Sequence, residues 1–509
     1  MTTPGDIASY RIEEAVAVLK IDSPPVNALG HNVRIALYAG VARALADSAV
    51  HAIVLLCGGR TFFAGADVTE IGKPILPPLL AEVMAAFESS SKPIVSAIHG
   101  TALGGGLELA LAGHYRVAVP SAIVGLPEVA LGLLPGAGGT QRVPRLIGVA
   151  AAVEMIGLGK PVEAMRALEL GLIDAIVPEG ELEASAIAFA RDLVAKGAPL
   201  RRLRDRVPDL GLDEARTVFA RFRADNPELF FGLKAAEGVL QAIEAAITLP
   251  FEEGIERERE ISRALIASPE SAAQRHLFFA ERSAAKLPGA EKEKAAVGSV
   301  ATVEDEGDRD AYVEALARAD ADLVIAARFL EDIDGLADAV PRPEALVGMR
   351  VVEGVSEIVV GKHSAPAAAL QAMALARKGG KPAIFVSPGK GGVIERLRDS
   401  LAATIAELLA ENVAPGDIAA TGRAFGFRDS LLPAGDGIAD AFIEQRLIHP
   451  LLNEAVKLQR EEMVKRGSDI DFAMVRAGLW PVWRGGPAFM ADRLETQAVG
   501  AEHVTSAPA

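Results

Sequence analysis

The 509-residue chain contains a single cysteine, Cys57, so it can form neither an internal disulfide nor a cysteine-cluster metal site. That scarcity fits a reducing compartment. No H-E-x-x-H or Cys/His metal pattern and no G-x-x-x-x-G-K-[ST] phosphate loop occurs. An uncharged apolar run of the roughly 18 residues that a membrane span needs is also missing. The start, MTTPGDIASYRIEE, lacks the basic and apolar regions of a secretory leader, so a cytoplasmic location is expected. Basic side chains are the scarcer charge, 52 against 68 acidic, for a formal net charge of −16. With no dense Lys/Arg run, this balance argues against nucleic acid as a partner and against adsorption to anionic membranes.

Half of the residues are hydrophobic and about a quarter charged, as in soluble globular proteins. The length favours two or more domains. Short β-rich runs at 15–21 (AVAVLKI) and 51–57 (HAIVLLC) alternate with helix-like spacing over 32–48 and 76–89. KPIVSAIHG (92–100) and YRVAVPSAIVGL (115–126) continue the alternation, so the first part reads as α/β. From about residue 148 the pattern is largely helical, with charged amphipathic stretches such as EEGIERERE. Residues 286–309 are polar, charge-dense and marked by Pro and Gly, which suits an interdomain connection. Beyond them ADLVIAARF, SEIVVG and KPAIFVS read as three strands of a smaller α/β unit. The expected division is a core over 1–190, a helical extension and linker over 191–290, an α/β domain over 291–392 and a helical domain over 393–509. The last stretch, AVGAEHVTSAPA, reads as a frayed tail.

Three segments join small residues to an acid: TFFAGADVTE (61–70), HGTALGGGLELA (99–110) and GLPEVALGLLPGAGGTQRVPR (125–145). Glycine lets backbone amides approach a ligand closely, and two such N–H groups converging from different loops can bind a carbonyl oxygen that becomes an oxyanion. Enolate chemistry on a thioester needs that site plus a carboxyl within proton-transfer reach of the adjacent carbon. Two acids, one on each side of a water, can add that water across a double bond. Taken alone, three glycines ahead of Glu108 read as a turn before a helix with an acid at its N-terminus. Helix capping explains Asp67 as well as ligand binding does. His99 and His114 have no acid or nucleophile partner in sequence and read as structural, and Cys57 reads as a small buried hydrophobe.

Together and in this order, FFAGAD, HGTALGGGLE and LPEVALGLLPGAGGTQRVPR resemble the crotonase, or enoyl-CoA hydratase/isomerase, family. PPVNALG (24–30) further resembles the hydratase part of multifunctional β-oxidation enzymes. The resemblance implies a crotonase (ββα spiral) fold at the N-terminus. It implies Ala66 and Gly105 as the two oxyanion amides, Glu108 as the residue that holds and deprotonates water, Glu128 as the proton donor to the α-carbon, and the Gly136 amide as a further hold on that water. It also implies Val26, Asn27, Ala28, Ala64, Asp67, Val68 and Pro127 along the CoA and substrate groove.

Residues 291–492 resemble pieces of the 3-hydroxyacyl-CoA dehydrogenase half of those enzymes, through ARADADLVIAARF, ALVGMR, SEIVVGKHSAP and GLWPVWRGGPAF. The departures outweigh the likeness. SVATVEDEGD stands where a Gly-rich dinucleotide turn is expected, and its acids would repel a pyrophosphate. Arg350 replaces the family's histidine after Gly-Met, while its glutamate partner persists as Glu357. Glu395 replaces an asparagine, the segment between Ala339 and Arg350 is shortened, and Leu330 and Glu331 compete for an expected acid position. A truncated, degenerate Rossmann-like unit without dehydrogenase activity or NAD is therefore expected, followed by a helical domain, with residues 291–509 together shaping or covering the hydratase, mediating assembly, or serving stability alone.

The leading reading is a 2-enoyl-CoA hydratase that needs no cofactor, with Δ3,Δ2-enoyl-CoA isomerase activity as a companion in the same fold. The alternatives are a bifunctional hydratase and NAD-dependent dehydrogenase, and a non-catalytic acyl-CoA-binding scaffold. Acyl-CoA is the expected ligand. A homo-oligomer, or a thiolase or dehydrogenase of β-oxidation, is the expected class of protein partner. The acyl group, set by the loop around 70–80 and by helices over the pocket, stays open.

Overall fold

A computed structural model describes residues 7–67, 70, 74, 76–293, 298–304 and 308–494. Val68, expected along the CoA groove, lies outside the described residues, as do much of the 70–80 loop and the last stretch of the chain. The chain forms two compact units, residues 1–271 and 272–509.

In the first unit β1 (Ala8–Glu13) and β2 (Val16–Ile21) make an antiparallel hairpin, and every later neighbour in the main sheet is parallel. Parallel neighbours need crossovers, and helices supply them. The chain runs through α1 (His31–Ala46), β3 (Ala52–Cys57), α2 (Leu80–Glu88), β4 (Ile94–Ile98), β5 (Thr101–Leu103), α3 (Gly105–Ala112), β6 (Tyr115–Ala118) and β7 (Ile123–Gly125). It continues through a 3₁₀ turn (Glu128–Leu131), α4 (Gly139–Ile147), α5 (Val149–Leu158), β8 (Val162–Glu163), α6 (Ala164–Leu170), β9 (Ala175–Ile176) and α7 (Leu182–Ala195). The main sheet has the order β1-β2-β3-β4-β6-β9, and a small sheet has the order β5-β7-β8. In two successive passes, β4-β5-α3 and β6-β7-3₁₀, one strand enters each sheet before a helical turn closes the unit. Gly100 makes the corner between β4 and β5 at φ +58°, where a Cβ would fall 2.1 Å from the Arg60 carbonyl oxygen.

The strands are apolar at nearly every position because both faces of the sheet are covered. Ala17, Leu19 and Ile21 of β2 and Ile53, Leu55 and Cys57 of β3 face the main core, whereas Val16, Val18, Ala52, Val54 and Leu56 pack on α7. Next come α8 (Leu212–Asp225), α9 (Ala235–Thr248) and α10 (Phe251–Ala267). Val239, Leu240 and Ile243 of α9 and Ile261 and Leu265 of α10 join that same core. Residues 191–290 are therefore not a free extension and linker: up to Ser271 they complete the first unit, because the apolar stripes of α9 and α10 are buried there.

The division between units falls within α11 (Pro269–Ala284). The second unit holds β10 (Val300–Val303), α12 (Arg309–Ala317), β11 (Leu323–Ala326), α13 (Ile333–Leu336), β12 (Leu346–Val352), β13 (Val355–Val359), α14 (Pro366–Lys378) and β14 (Ala383–Val386). The helices α15 (Val393–Ala410), α16 (Pro415–Phe425), α17 (Ala441–Arg460) and α18 (Gly467–Arg476) follow. Five strands stand where three were expected. β10 lies inside the stretch 286–309 read as a linker, its four residues masked by the acids that follow. β12 is only half buried and turns back into β13 through Glu353-Gly354, both at positive φ. The sheet order β10-β11-β12-β13-β14 is simply the order along the chain. Arg350 and Glu357 face each other as register partners on β12 and β13, with Nε 2.9 Å from Oε2. Burial raises the Glu357 pKa, the Arg350 charge opposes that rise, and Oε1 accepts the Ile394 amide at 2.9 Å. Glu395 accepts the Gly392 amide at 3.3 Å as a helix cap, Leu330 is buried and Glu331 is exposed.

Arg116 of β6 is 2 % exposed and ties the main sheet to the turn before β9. Its Nε donates to the Leu172 carbonyl at 2.7 Å and Nη2 lies 3.6 Å from the Asp174 carboxylate. Breaking a buried pair by removing one member costs about 3–5 kcal/mol, so Arg116→Ala is expected to lose stability on that scale in urea unfolding. A loss within error of zero would mean that Arg201 and the amide of residue 116 suffice to hold Asp174.

Candidate active site

The site is built within the first unit from loops at the ends of strands. Ala64 donates its amide to the Val26 carbonyl at 3.2 Å and Leu29 donates to Gly65 at 2.9 Å, so the PPVNALG and FFAGAD segments run side by side. Val26, Ala28, Ala64 and Asp67 are half-buried along this edge. Asn27 is turned inward: its Nδ2 donates to the Gly58 and Thr61 carbonyls at 2.9 and 2.8 Å, and its Oδ1 accepts the Ser23 amide at 2.6 Å. Its side chain fastens the two loops, which leaves only its backbone for a ligand. Pro127 is half-buried and directly precedes Glu128.

Ala66 and Gly105 come together. A Cβ on Gly105 would sit 3.2 Å from the Ala66 nitrogen, with Leu80 and Leu29 methyls at 3.3 and 3.4 Å. Neither amide donates to a backbone carbonyl among the described residues. Two unspent N–H groups therefore adjoin each other beside an apolar wall, one of them at the N-terminus of α3, where the helix dipole favours negative charge.

Glu108 lies one turn into α3 and is 2 % exposed. Its Oε1 accepts the amides of Ala137 and Gly139 at 2.9 and 2.7 Å, so the GAGGT loop that opens α4 holds this carboxylate. Gly136, expected to hold water by its amide, is the exposed residue just before those donors. Glu128 opens the 3₁₀ turn; its Oε2 is buried with no hydrogen-bond partner, and its Oε1 lies 2.8 Å from where Gly104 would carry a Cβ. Gly104 has φ +53° and lets the chain pass that carboxyl.

A third acid joins them. Glu258 of α10 is fully buried; its Oε1 accepts the Gly138 amide at 2.7 Å, and its Oε2 meets the Thr140 hydroxyl at 2.5 Å and the Thr140 amide at 3.2 Å. The sequence reads it as one of the acids of the charged amphipathic stretch EEGIERERE, with no role in the site. The signal was nonetheless present, because Glu258 occupies the stripe of Ile255, Ile261 and Leu265 rather than the polar face.

These environments separate the acids. Burial raises Glu108, but two amides and the Arg142 charge pull it back. Glu128 is pushed well above the ordinary carboxyl range by burial and then by the charges of Glu108 and Glu258, with no cation opposing. Glu258 is pushed up to about 8, by burial first and Glu108 second. Glu108 is thus the acid best able to carry charge and Glu128 the one best able to keep its proton. Arg142 is anchored by Glu88 at 2.8 Å and by the Ala137 carbonyl at 2.8 Å.

Arg34, also unanticipated, is buried where the loop before α2 meets α1. It donates to the carbonyls of Leu29, Leu76 and Pro78 at 2.9, 3.1 and 2.8 Å and to Glu70 at 2.7 Å. His114 accepts the Ile94 amide at 3.0 Å and burial lowers its pKa to about 4, a structural role; His99 contacts the Gly59 carbonyl at 3.2 Å near the surface. Burial raises the Cys57 thiol well above its ordinary pKa. Among the described residues no group of three metal-ligating side chains is found.

The enoyl-CoA hydratase/isomerase family pattern matches residues 11–210. A peroxisomal bifunctional enzyme of Danio rerio is 34% identical over 82% of this chain and 70% of its own length. The Homo sapiens peroxisomal bifunctional enzyme is 39% identical over 55% of this chain, a match that spans 39% of that protein. A solved enoyl-CoA hydratase/isomerase of Pseudoalteromonas atlantica T6c, 23% identical, covers 53% of this chain and 96% of its own at a TM-score of 0.40.

Gly104 offers a direct probe of the Glu128 environment. A side chain at such a φ costs about 1–3 kcal/mol. Gly104→Ala is expected to lower the unfolding free energy on that scale and, in a crystal structure, to displace the Glu128 carboxyl; an unmoved carboxyl with unchanged stability would contradict the close approach.

Proposed function

The chain belongs to the enoyl-CoA hydratase/isomerase family, and from that premise we propose that it adds water across the C2=C3 bond of a 2-enoyl-CoA to give the 3-hydroxyacyl-CoA. The observation that carries the proposal is the pair of buried acids in unlike environments, Glu108 on two amides and Glu128 with an unpartnered oxygen, beside the adjoining Ala66 and Gly105 amides. The thioester oxygen accepts from those two amides, which stabilise it as negative charge develops there. Glu108 takes a proton from water as the water oxygen bonds to C3, and the C=C electrons move toward the thioester. Glu128 then gives its proton to C2 as the enolate collapses. A scaffold without turnover would have no use for two acids held at such cost.

In its ionised form the same Glu128 side chain can take a proton from C2 of a 3-enoyl-CoA and return it to C4, so isomerisation is proposed as a second activity, one that needs Glu128 without the proton that hydration uses. For the second unit we propose no hydride transfer. A dinucleotide binds where strand order reverses, at a Gly-rich turn, and this sheet runs in chain order with no such reversal. The position of the family's histidine is taken by Arg350, which is spent on Glu357. The residues present do not fit NAD.

Crotonyl-CoA followed by NAD, monitored by absorbance, tests both parts. Loss of the enoyl signal without NADH is the expected result, and NADH formation would overturn the second. Removing a general base costs typically 10²–10⁴-fold, so Glu108→Ala is expected to lose hydration by about that factor while isomerisation survives, and Glu128→Ala to lose both. Hydration that survives intact in Glu108→Ala would contradict the role given to it. Because Glu108 works ionised and Glu128 protonated, kcat/KM should fall as pH drops through the first pKa and again as pH rises through the second. A rate that climbs steadily with pH would rule out Glu128 as the acid.

A further inference from the structure

Two carboxylates share one loop. Along residues 137–140 the amides point alternately to opposite sides: Ala137 and Gly139 to Glu108, Gly138 and Thr140 to Glu258. The Thr140 hydroxyl adds a third contact on the Glu258 side. Removing the Glu258 carboxyl would leave two buried amides unsatisfied and the Thr140 hydroxyl without its acceptor, with Glu108 and Arg142 left to tie the Ala137 end of the loop. Gly138, at φ +99°, could relax readily.

We infer that Glu258 is a positioning residue for hydration: by bridging Gly138 and Thr140 from α10, it holds the GAGGT loop so that the Ala137 and Gly139 amides bear on Glu108. The inference rests on the hydratase reading. Glu258 lies beyond residue 210, where the family pattern ends, and reaches the loop because α9 and α10 belong to the first unit. The charged groups facing it are Glu108 from α3, Glu128 from the 3₁₀ turn and Arg142 from α4, the last paired with Glu88 of α2. A carboxyl facing two other acids favours its neutral form, and burial acts in the same direction. Both of its oxygens nevertheless accept N–H bonds, Oε1 from Gly138 and Oε2 from Thr140, so an amide, with a single acceptor oxygen, cannot make the same bridge. The link to Glu108 is the pair of N–H bonds that favour its ionised form; if the loop moves, those bonds weaken and Glu108 ionises only at higher pH.

The test uses the full chain, crotonyl-CoA and the variants Glu258→Ala, Glu258→Gln and Thr140→Val. Misplacing a catalytic group by an ångström can cost about 10²-fold, so Glu258→Ala is expected to lower kcat by about that factor with KM little changed, and to move the acidic limb of the pH profile upward. Glu258→Gln keeps the side-chain size but sets an NH2 against one of the two loop amides, so it should lower kcat and raise the acidic limb in the same direction as Glu258→Ala, and parent values of both would contradict the bridge. Thr140→Val, which removes one contact and keeps the side-chain shape, should move both in the same direction by less, and serves if Glu258→Ala does not fold. A crystal structure of Glu258→Ala or Thr140→Val should show residues 136–140 displaced from Glu108, a readout independent of turnover. A parent that does not hydrate crotonyl-CoA would sink the function while the crystallographic arm still judges the loop. An active parent whose variants keep kcat, the acidic limb and the loop would sink the inference alone. A fall in kcat with an unmoved limb and loop would also overturn it, because stability would then account for the loss.

Discussion

The first unit turns on the cost of burying carboxylates close together and on the backbone amides that offset it. Isolated charge in a protein interior is prohibitive unless hydrogen bonds or counter-charges meet it, and the usual escape is to keep the proton. Glu108 is met by two amides of the loop before α4 and a nearby guanidinium; Glu128 has its own backbone amide, no cation, and one buried oxygen without a partner. That asymmetry gives two identical side chains unlike proton affinities, which the proposed hydration uses as a base and an acid. It depends on the loop from Gly136 to Thr140, whose glycines let four successive amides reach outward without a side chain in the way.

The rest of the unit can be understood as support for that loop and for the Ala66 and Gly105 amides. The main sheet, covered on both faces, fixes the end of β3, the small sheet fixes the ends of β5 and β7, and each of those ends carries one of the site's loops. Buried polar side chains then tie loop to loop: Asn27 binds the segment before α1 to the turn after β3, Arg34 binds it to the approach to α2, and Arg142 binds the GAGGT loop to α2. Each is fully engaged with neighbours, which is what makes it affordable inside an apolar core.

The second unit follows a different logic. Its sheet has the alternation of an α/β domain but no point at which strand order reverses, and the buried ion pair between Arg350 and Glu357 occupies two facing strands. A side-chain pair that could have served proton transfer in a related fold is here neutralised internally.

The sequence by itself determined the α/β alternation of the first part, because strands buried on both faces must be apolar throughout, and its resemblance to the crotonase family pointed to Glu108, Glu128, Ala66 and Gly105, because the motifs that carry the resemblance are contiguous and local. It placed β11, β13 and β14 but lost β10 and β12, where four residues beside an acidic run and a half-exposed strand give almost no period. Tertiary structure alone decided that α9 and α10 complete the first unit, that Asn27 faces inward, that Ala137 and Gly139 rather than a neighbouring side chain hold Glu108, and that Glu258 belongs to the site. The physical reason is the same in each case: burial and hydrogen-bond direction depend on what the fold brings opposite a residue, and a charged side chain on an apolar stripe looks solvated until its partners are known.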